Sequence, residues 1–293
     1  MDLDLVKIIQ LMRNPVTDWI FYIITQIGDQ YFFIALAVII YWTISKKYAH
    51  KFVFTFMISA VVNSSLKEIF KRPRPYTQPD VSVESSWITT GYSFPSGHAQ
   101  ASGVLGYTSY DASKKTGKKW IWYTGLAIMI LVPLSRVYLG QHYPSDVIIG
   151  VLLAFVVAHF VFKLVDKMGD NEHIYTLMLA PIFILLLFFV KNHDVYVAAG
   201  GFVGFALGYY LEKEYVKYEV KEVFWIQIIK VITGLVIALA IKEGLKFILP
   251  YSVNEDFDPT TLDLILDFIR YFMIGVWAAV GAPWVFKNVI RNH

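Results

Sequence analysis

Long apolar runs separated by short polar clusters fill this chain, and most runs are long enough to cross a bilayer as helices. They predict nine spans, at about 30–45, 52–70, 97–112, 120–138, 146–165, 175–190, 195–211, 223–241 and 264–286. Ahead of them, Leu5, Ile8, Ile9 and Met12 recur at helical spacing, which predicts an amphipathic helix lying in the membrane interface. Gly28 and Asp29 mark a break before the first span. The start carries acids where a secretory signal needs a basic stretch, and it has no small-residue cleavage site. The expected architecture is an all-α, polytopic transmembrane bundle: an interfacial segment at 1–29, a five-span core at 30–165, and a four-span extension at 166–293 beyond a polar seam near 166–173.

Composition agrees with that pattern. Of 293 residues, 56% are hydrophobic and 17% charged, against about 25% charged in soluble domains. The net charge of +3 is too weak to suggest nucleic acid as a partner. With no cysteine, disulfides, thiolate nucleophiles and cysteine-held metals are excluded. Nothing in the sequence sets an oligomeric state.

Charge position gives an orientation. Lysines concentrate at 46–51, 114–119, 163–167, 213–221 and 287–291, so these segments are expected on the cytoplasmic side, with the amino terminus outside and the carboxyl terminus inside. The other loops then face outward, and one of them breaks the rule by carrying Lys67, Lys71, Arg72 and Arg74. Alone, such a cluster reads as a contact for anionic head groups.

Three outward segments give it a second meaning. Lys67 and Arg74-Pro75 end the second span, Pro95-Ser96-Gly97-His98 opens the third, and Ser135-Arg136, His142 and Asp146 bridge the fourth and fifth. Lys67, Arg74 and Arg136 at one depth are costly in a partly dry pocket unless a multiply charged anion sits there, and paired arginine donors suit a tetrahedral oxyanion. Pro95 and Pro144 are expected in the first turns of their helices, so two helix amino termini offer N–H groups; Gly97 permits close backbone approach and Ser96 adds a hydroxyl. Asp146, four residues after His142, can fix that imidazole's tautomer, which makes His142 the better nucleophile and His98 the better acid.

These residues, in this order and spacing, closely resemble the motifs of the type-2 phosphatidic acid phosphatase superfamily. The resemblance covers about 30–165 and implies a membrane enzyme acting from the extracytoplasmic face on a lipid phosphate, such as phosphatidate, phosphatidylglycerophosphate or a polyprenyl diphosphate. It implies that His142 forms a phosphohistidine supported by Asp146, that His98 protonates the leaving group, and that Lys67, Arg74, Ser96, Gly97 and Arg136 hold the phosphate. It implies no metal and no cofactor. Phosphate, or vanadate as in the related haloperoxidases, is the implied site ligand. The same residues would serve a phosphatase for a soluble phosphate ester or a transferase to an alcohol, whereas a non-enzymatic lipid carrier would not need all of them.

Blander readings fit the rest. Lys71 and Arg72 stay unassigned, with guidance of an anionic substrate as one role open to them, and His50, His159, His173, His193 and His293 are expected to be solvated or bonded to backbone. Gly200, Gly204 and Gly208 suit close helix packing. Arg270 is expected to pair with Asp267, Lys230 to snorkel or pair, and Trp87 can cover the pocket.

Overall fold

A computed structural model describes residues 2–252 and 259–290, and all regular structure among them is helical. The helices are α1 (Asp2–Gln10), α2 (Pro15–Gln26), α3 (Gln30–Thr43), α4 (Lys46–Phe70), α5 (Gly97–Thr116), α6 (Lys119–Tyr138), α7 (Pro144–Met168), α8 (Glu172–Met178), α9 (Ala180–Phe189), α10 (His193–Leu211), α11 (Phe224–Ile248), α12 (Thr261–Val276) and α13 (Ala282–Val285). His293 lies outside the described residues. Two compact units form, one from Met1–Ile34 and Ile58–Phe162, the other from Ala35–Met57 and Lys163–His293.

Six helical stretches among the described residues are long and apolar enough to cross a membrane, and α2 with α3, bent by 47° at their break, make a seventh candidate. The expected nine are not confirmed. Two physical reasons account for the difference. Helix α5 has 20 residues, about 30 Å of helix, yet it does not pass on apolarity, because Gln100, Ser102 and Thr108 are buried against protein. The stretches at 146–165 and 175–190 fall within one apolar helical run, Pro144–Phe189, which is interrupted by a short turn at Gly169–Asn171.

In the first unit, α5 is central. A Cβ on Gly103 would lie 2.6 Å from Ala154 Cβ of α7, and one on Gly125 of α6 would lie 2.4 Å from Ser109 Cβ of α5. These glycines let three helices approach closely, so their first and last turns share a depth. Helix α1 docks across their ends. Its buried stripe is Leu3, Val6 and Ile9, packed with Ala99, Val137, Tyr143 and Val147. The stripe expected to meet the interface divides: Ile9 joins this core, while Leu5, Ile8 and Met12 stay exposed. Asn14 caps α2 through a capping box with Thr17, and Pro15 occupies its first turn.

In the second unit, the small-residue spacing of α10 does what was expected of it. A Cβ on Gly200 would come within 2.3 Å of Phe268 O and one on Gly204 within 2.1 Å of Phe272 O, so α10 and α12 pack backbone to backbone. The charges expected to be structural are paired or covered: Arg270 binds Asp267 at 2.8 Å, and the fully buried Lys230 ammonium lies 4.9 Å from the Tyr218 ring centroid. Three histidines depart from the expectation of solvent or backbone partners. His50 bonds Thr176 at 2.7 Å, His173 bonds Glu214 at 2.8 Å, and His193 meets Asp267 at 3.2 Å.

Candidate active site

All eight residues singled out from the sequence lie in the first unit, at the ends of α4, α5, α6 and α7. His142 sits in the five-residue connection between α6 and α7 and is almost fully buried. The tight turn closes on Arg136, whose carbonyl accepts from Gln141 N at 3.0 Å and His142 N at 3.2 Å, with Gly140 supplying a left-handed φ of 71°. The His142 ring is held from both sides. Nδ1 lies 3.6 Å from Asp146 Oδ2 and 3.5 Å from Ser93 Oγ, while Nε2 lies 3.1 Å from Arg74 Nη1. With Nδ1 toward the carboxylate, Nε2 carries the lone pair that Arg74 meets.

Asp146 has no exposed surface, and its oxygens are occupied by three partners, two on the α4–α5 connection and one on the α6–α7 connection. Oδ2 accepts from Ser93 Oγ and from Tyr143 N at 2.9 Å; Oδ1 accepts from Arg72 Nη1 at 2.6 Å. Arg72, left without an assigned role by the sequence, therefore has a structural partner.

Two buried arginines converge on the same place. Arg74 Nη1 also donates to Gln141 O at 3.0 Å, and its Nε and Nη2 donate to Gly91 O and Thr90 O, both at 2.9 Å. Arg136 donates through Nη1 to Thr25 Oγ1 at 3.0 Å and through Nη2 to Thr89 Oγ1 at 2.9 Å, and its buried Nε has no hydrogen-bond partner among the described residues. Neither guanidinium makes an ion pair among those residues. Two buried cations with no carboxylate at ion-pair distance are costly, and a bound anion would offset that cost. Lys67, on the last turn of α4 and half-buried, adds charge that reaches His142. Burial first, then Arg74, Arg136 and Lys67, push the His142 pKa well below its ordinary value, so the ring is neutral at physiological pH.

Ser96, Gly97 and His98 open α5. Ser96 N donates to Asp146 O at 3.1 Å, joining this motif to the start of α7. Ser96 is the N-cap of α5, its hydroxyl accepting from Ala99 N at 3.4 Å, so Pro95 lies outside the helix and not in its first turn as expected; Pro144 does open α7. No side chain crowds Gly97, where a Cβ would find Asn63 Oδ1 at 3.6 Å and nothing closer. His98 and Arg136 line a cavity of about 180 Å³ whose other walls include Tyr22, Thr25, Asp29, Trp87 and Thr89. Trp87 stacks on Tyr22 with centroids 4.5 Å apart and forms part of the cavity wall.

Several contributors were not legible in the sequence. Ser93, Thr89 and Gln141 bridge the motifs, Thr89 Oγ1 donating to Gln141 Oε1 at 2.5 Å, but none belongs to a recurring pattern. Gly28 was read only as a break. A Cβ there would stand 2.6 Å from Val132 Cγ1 and 3.0 Å from His98 Cβ. Gly28→Ala is therefore expected to destabilise the protein by about 1–3 kcal/mol through overpacking. The same change should lower kcat by up to about 10²-fold through displacement of His98, measured as thermal unfolding and single-turnover rate.

The sequence has counterparts among known proteins. Phosphatidylglycerophosphatase B of Bacillus subtilis is 32% identical over 164 residues, covering 51% of this chain and 78% of the relative. The family profile described as PAP2 superfamily matches residues 48–170. The chain belongs to the PAP2 superfamily. A second profile, PAP2 superfamily phosphatase, transmembrane extension, matches 196–291, so this PAP2 protein carries both the phosphatase core and the membrane extension. Undecaprenyl-diphosphatase of Sulfolobus acidocaldarius is 29% identical over 153 residues, covering 52% of this chain and 72% of that relative. Mouse sphingosine-1-phosphate phosphatase 1 is 21% identical over an alignment of 314 residues that covers 92% of this chain and 72% of the relative. This PAP2 protein is a membrane phosphatase.

Proposed function

We propose that this membrane lipid phosphatase cleaves its substrate through a phosphohistidine on His142, at the extracytoplasmic face, with no metal. The observation that carries the reading is the His142 ring, with Asp146 and Ser93 on Nδ1 and Arg74 on Nε2, beside a second buried arginine that makes no ion pair among the described residues. Nε2 attacks phosphorus in line as the bond to the leaving oxygen breaks, and His98 gives that oxygen its proton. Water then attacks the phosphohistidine, His98 takes a proton from it, the P–N bond breaks, and inorganic phosphate leaves. Arg74, Arg136 and Lys67, with the N–H groups at Gly97, would stabilise the charge on the three equatorial oxygens.

The cavity beside His98 suits the leaving group of a lipid phosphate. The cavity of about 180 Å³ is lined by His98 and Arg136 and not by His142 or Arg74, so it would take the first atoms of a leaving group, leaving an acyl or prenyl chain in the bilayer. The orientation is supported by the second unit, where lysine-bearing segments expected on one side meet: Lys46 binds Glu212 at 2.9 Å, Lys51 binds Asp166, and Lys213 binds Glu172 at 2.7 Å.

Phosphate release by the purified protein in chelator is the test, across phosphatidate, phosphatidylglycerophosphate, sphingosine 1-phosphate, a polyprenyl diphosphate and glucose 6-phosphate. At least one lipid phosphate should be cleaved with kcat/KM about 10²-fold or more above glucose 6-phosphate. Equal activity on glucose 6-phosphate favours a soluble ester, phosphoryl transfer to added alcohol in place of water marks a transferase, and loss in chelator overturns the metal-free mechanism.

A further inference from the structure

The proposed mechanism leaves Arg72 and the first turn of α1 without a part, yet they make one of the densest charged networks in the first unit. Arg72 Nη1 donates to Asp146 Oδ1 at 2.6 Å and to Ser145 Oγ at 2.7 Å, and Nη2 donates to Asp2 Oδ2 at 2.9 Å. Asp2 also accepts from Ser145 N at 3.3 Å and from the Ser145 hydroxyl. The Arg72 guanidinium lies 3.9 Å from the Tyr143 ring centroid, so Tyr143, next to His142, packs on the same group. Burial raises the Asp2 pKa, but the Ser145 and Arg72 bonds outweigh it and hold the carboxyl below its usual range.

We propose that Arg72 and Asp2 are positioning residues for the phosphoryl transfer, forming a carboxylate–guanidinium–carboxylate chain that orients Asp146 and moderates its pull on His142. This rests on His142 being the nucleophile. The physical need is specific. Without Arg72, the fully buried Asp146 would keep only the adjacent imidazole at ion-pair distance and would favour a proton on that ring, and an imidazolium has no lone pair for attack. Arg72 supplies the counter-charge on Oδ1, leaving Oδ2 to align Nδ1 without ionising the ring. Asp2 in turn balances Arg72 and keeps its fork from collapsing wholly onto Asp146.

The amino-terminal helix is built to hold Asp2 there. Leu3, Val6 and Ile9 are packed against the ends of α5, α6 and α7, worth roughly 1.5–3 kcal/mol for each fully buried side chain. Gln10 Nε2 donates to Ser82 O at 2.8 Å and Tyr138 O at 3.1 Å, and Lys7 pairs with Asp80 at 3.1 Å. Helix α1 is thus fastened to the loop that carries Arg72 and Arg74 and to the end of α6. That gives it a role beyond lying on the membrane.

The experiment compares Arg72→Gln, Asp2→Asn, their double variant and Asp2→Glu in the full-length protein, reading kcat, KM, the pH profile of kcat and thermal unfolding. His142 is faced by Asp146, Ser93, Arg74, Arg136, Lys67 and His98, none of which is changed. Each single variant should lower kcat about tenfold with KM within twofold, and the double should be no slower than Arg72→Gln, because both act through one chain. Asp2→Glu should recover most of the loss. Arg72→Gln should move the acid limb of the profile to higher pH, since an unopposed Asp146 favours the imidazolium. Unchanged kcat, multiplying effects in the double, a loss carried by KM, or a kcat loss that tracks unfolding temperature with no movement of the acid limb would each overturn the proposal. A His142→Ala control that stays active overturns both the proposal and the mechanism under it; with that control inactive, the other readouts judge the proposal alone.

Discussion

His142→Ala should lower phosphate release by about 10⁴-fold while leaving the protein folded and membrane-inserted. The size follows from what is removed. Nε2 is the only atom proposed to bond phosphorus, and water placed in the gap lacks both its nucleophilicity and its fixed aim. Rapid acid-free quenching with labelled substrate should trap a base-stable, acid-labile phosphoenzyme in the native protein and none in the variant. A trapped intermediate in the variant, or activity within tenfold of native, would move the covalent step to another residue. The pH dependence has a defined sign. Attack needs the neutral ring, and burial with three nearby cations holds the His142 pKa well below its ordinary value, so kcat/KM should persist below pH 6.5, where a solvent-exposed histidine nucleophile would already fail.

His98→Gln is expected to cost about 10²–10⁴-fold on an alkyl phosphate, the usual range for a removed general acid. An alkoxide is a poor leaving group unless it receives a proton as the P–O bond breaks, and His98 lines the cavity into which the leaving oxygen would project. A nitrophenyl phosphate separates the two steps. Its leaving oxygen is stable as an anion near neutrality, so His98→Gln should retain most activity on it in the first chemical step, seen as a burst of nitrophenolate. Hydrolysis of the intermediate then lags, because the same residue activates water. Equal loss on both substrates without a burst would show that His98 binds the phosphate and is not the proton donor.

Much of this protein was legible in its residues. Apolar runs of bilayer length required helices, since a backbone in lipid must satisfy its own hydrogen bonds. The spacing of Lys67 and Arg74, of Ser96, Gly97 and His98, and of Arg136, His142 and Asp146 marked a candidate anion site, because each cluster falls at the end of a span. The span count was less legible. Apolarity measures contact with lipid, and α5 is buried in protein, where Gln100 can bond Ser59 O at 3.1 Å and accept from Asn63 at 2.7 Å.

The sequence by itself determined the helical membrane class, the family motifs and the residues of the candidate site, because these rest on local composition and spacing that packing cannot change. Tertiary structure alone decided which atoms meet. Only it could turn Arg72 from a loop cation into the partner of Asp146, bring Asp2 across 143 residues of sequence to Ser145, and set Gly28 against His98. Those pairings depend on how α1, the bend between α2 and α3, and the α6–α7 turn stack together. A residue's neighbours along the chain carry no record of that stacking.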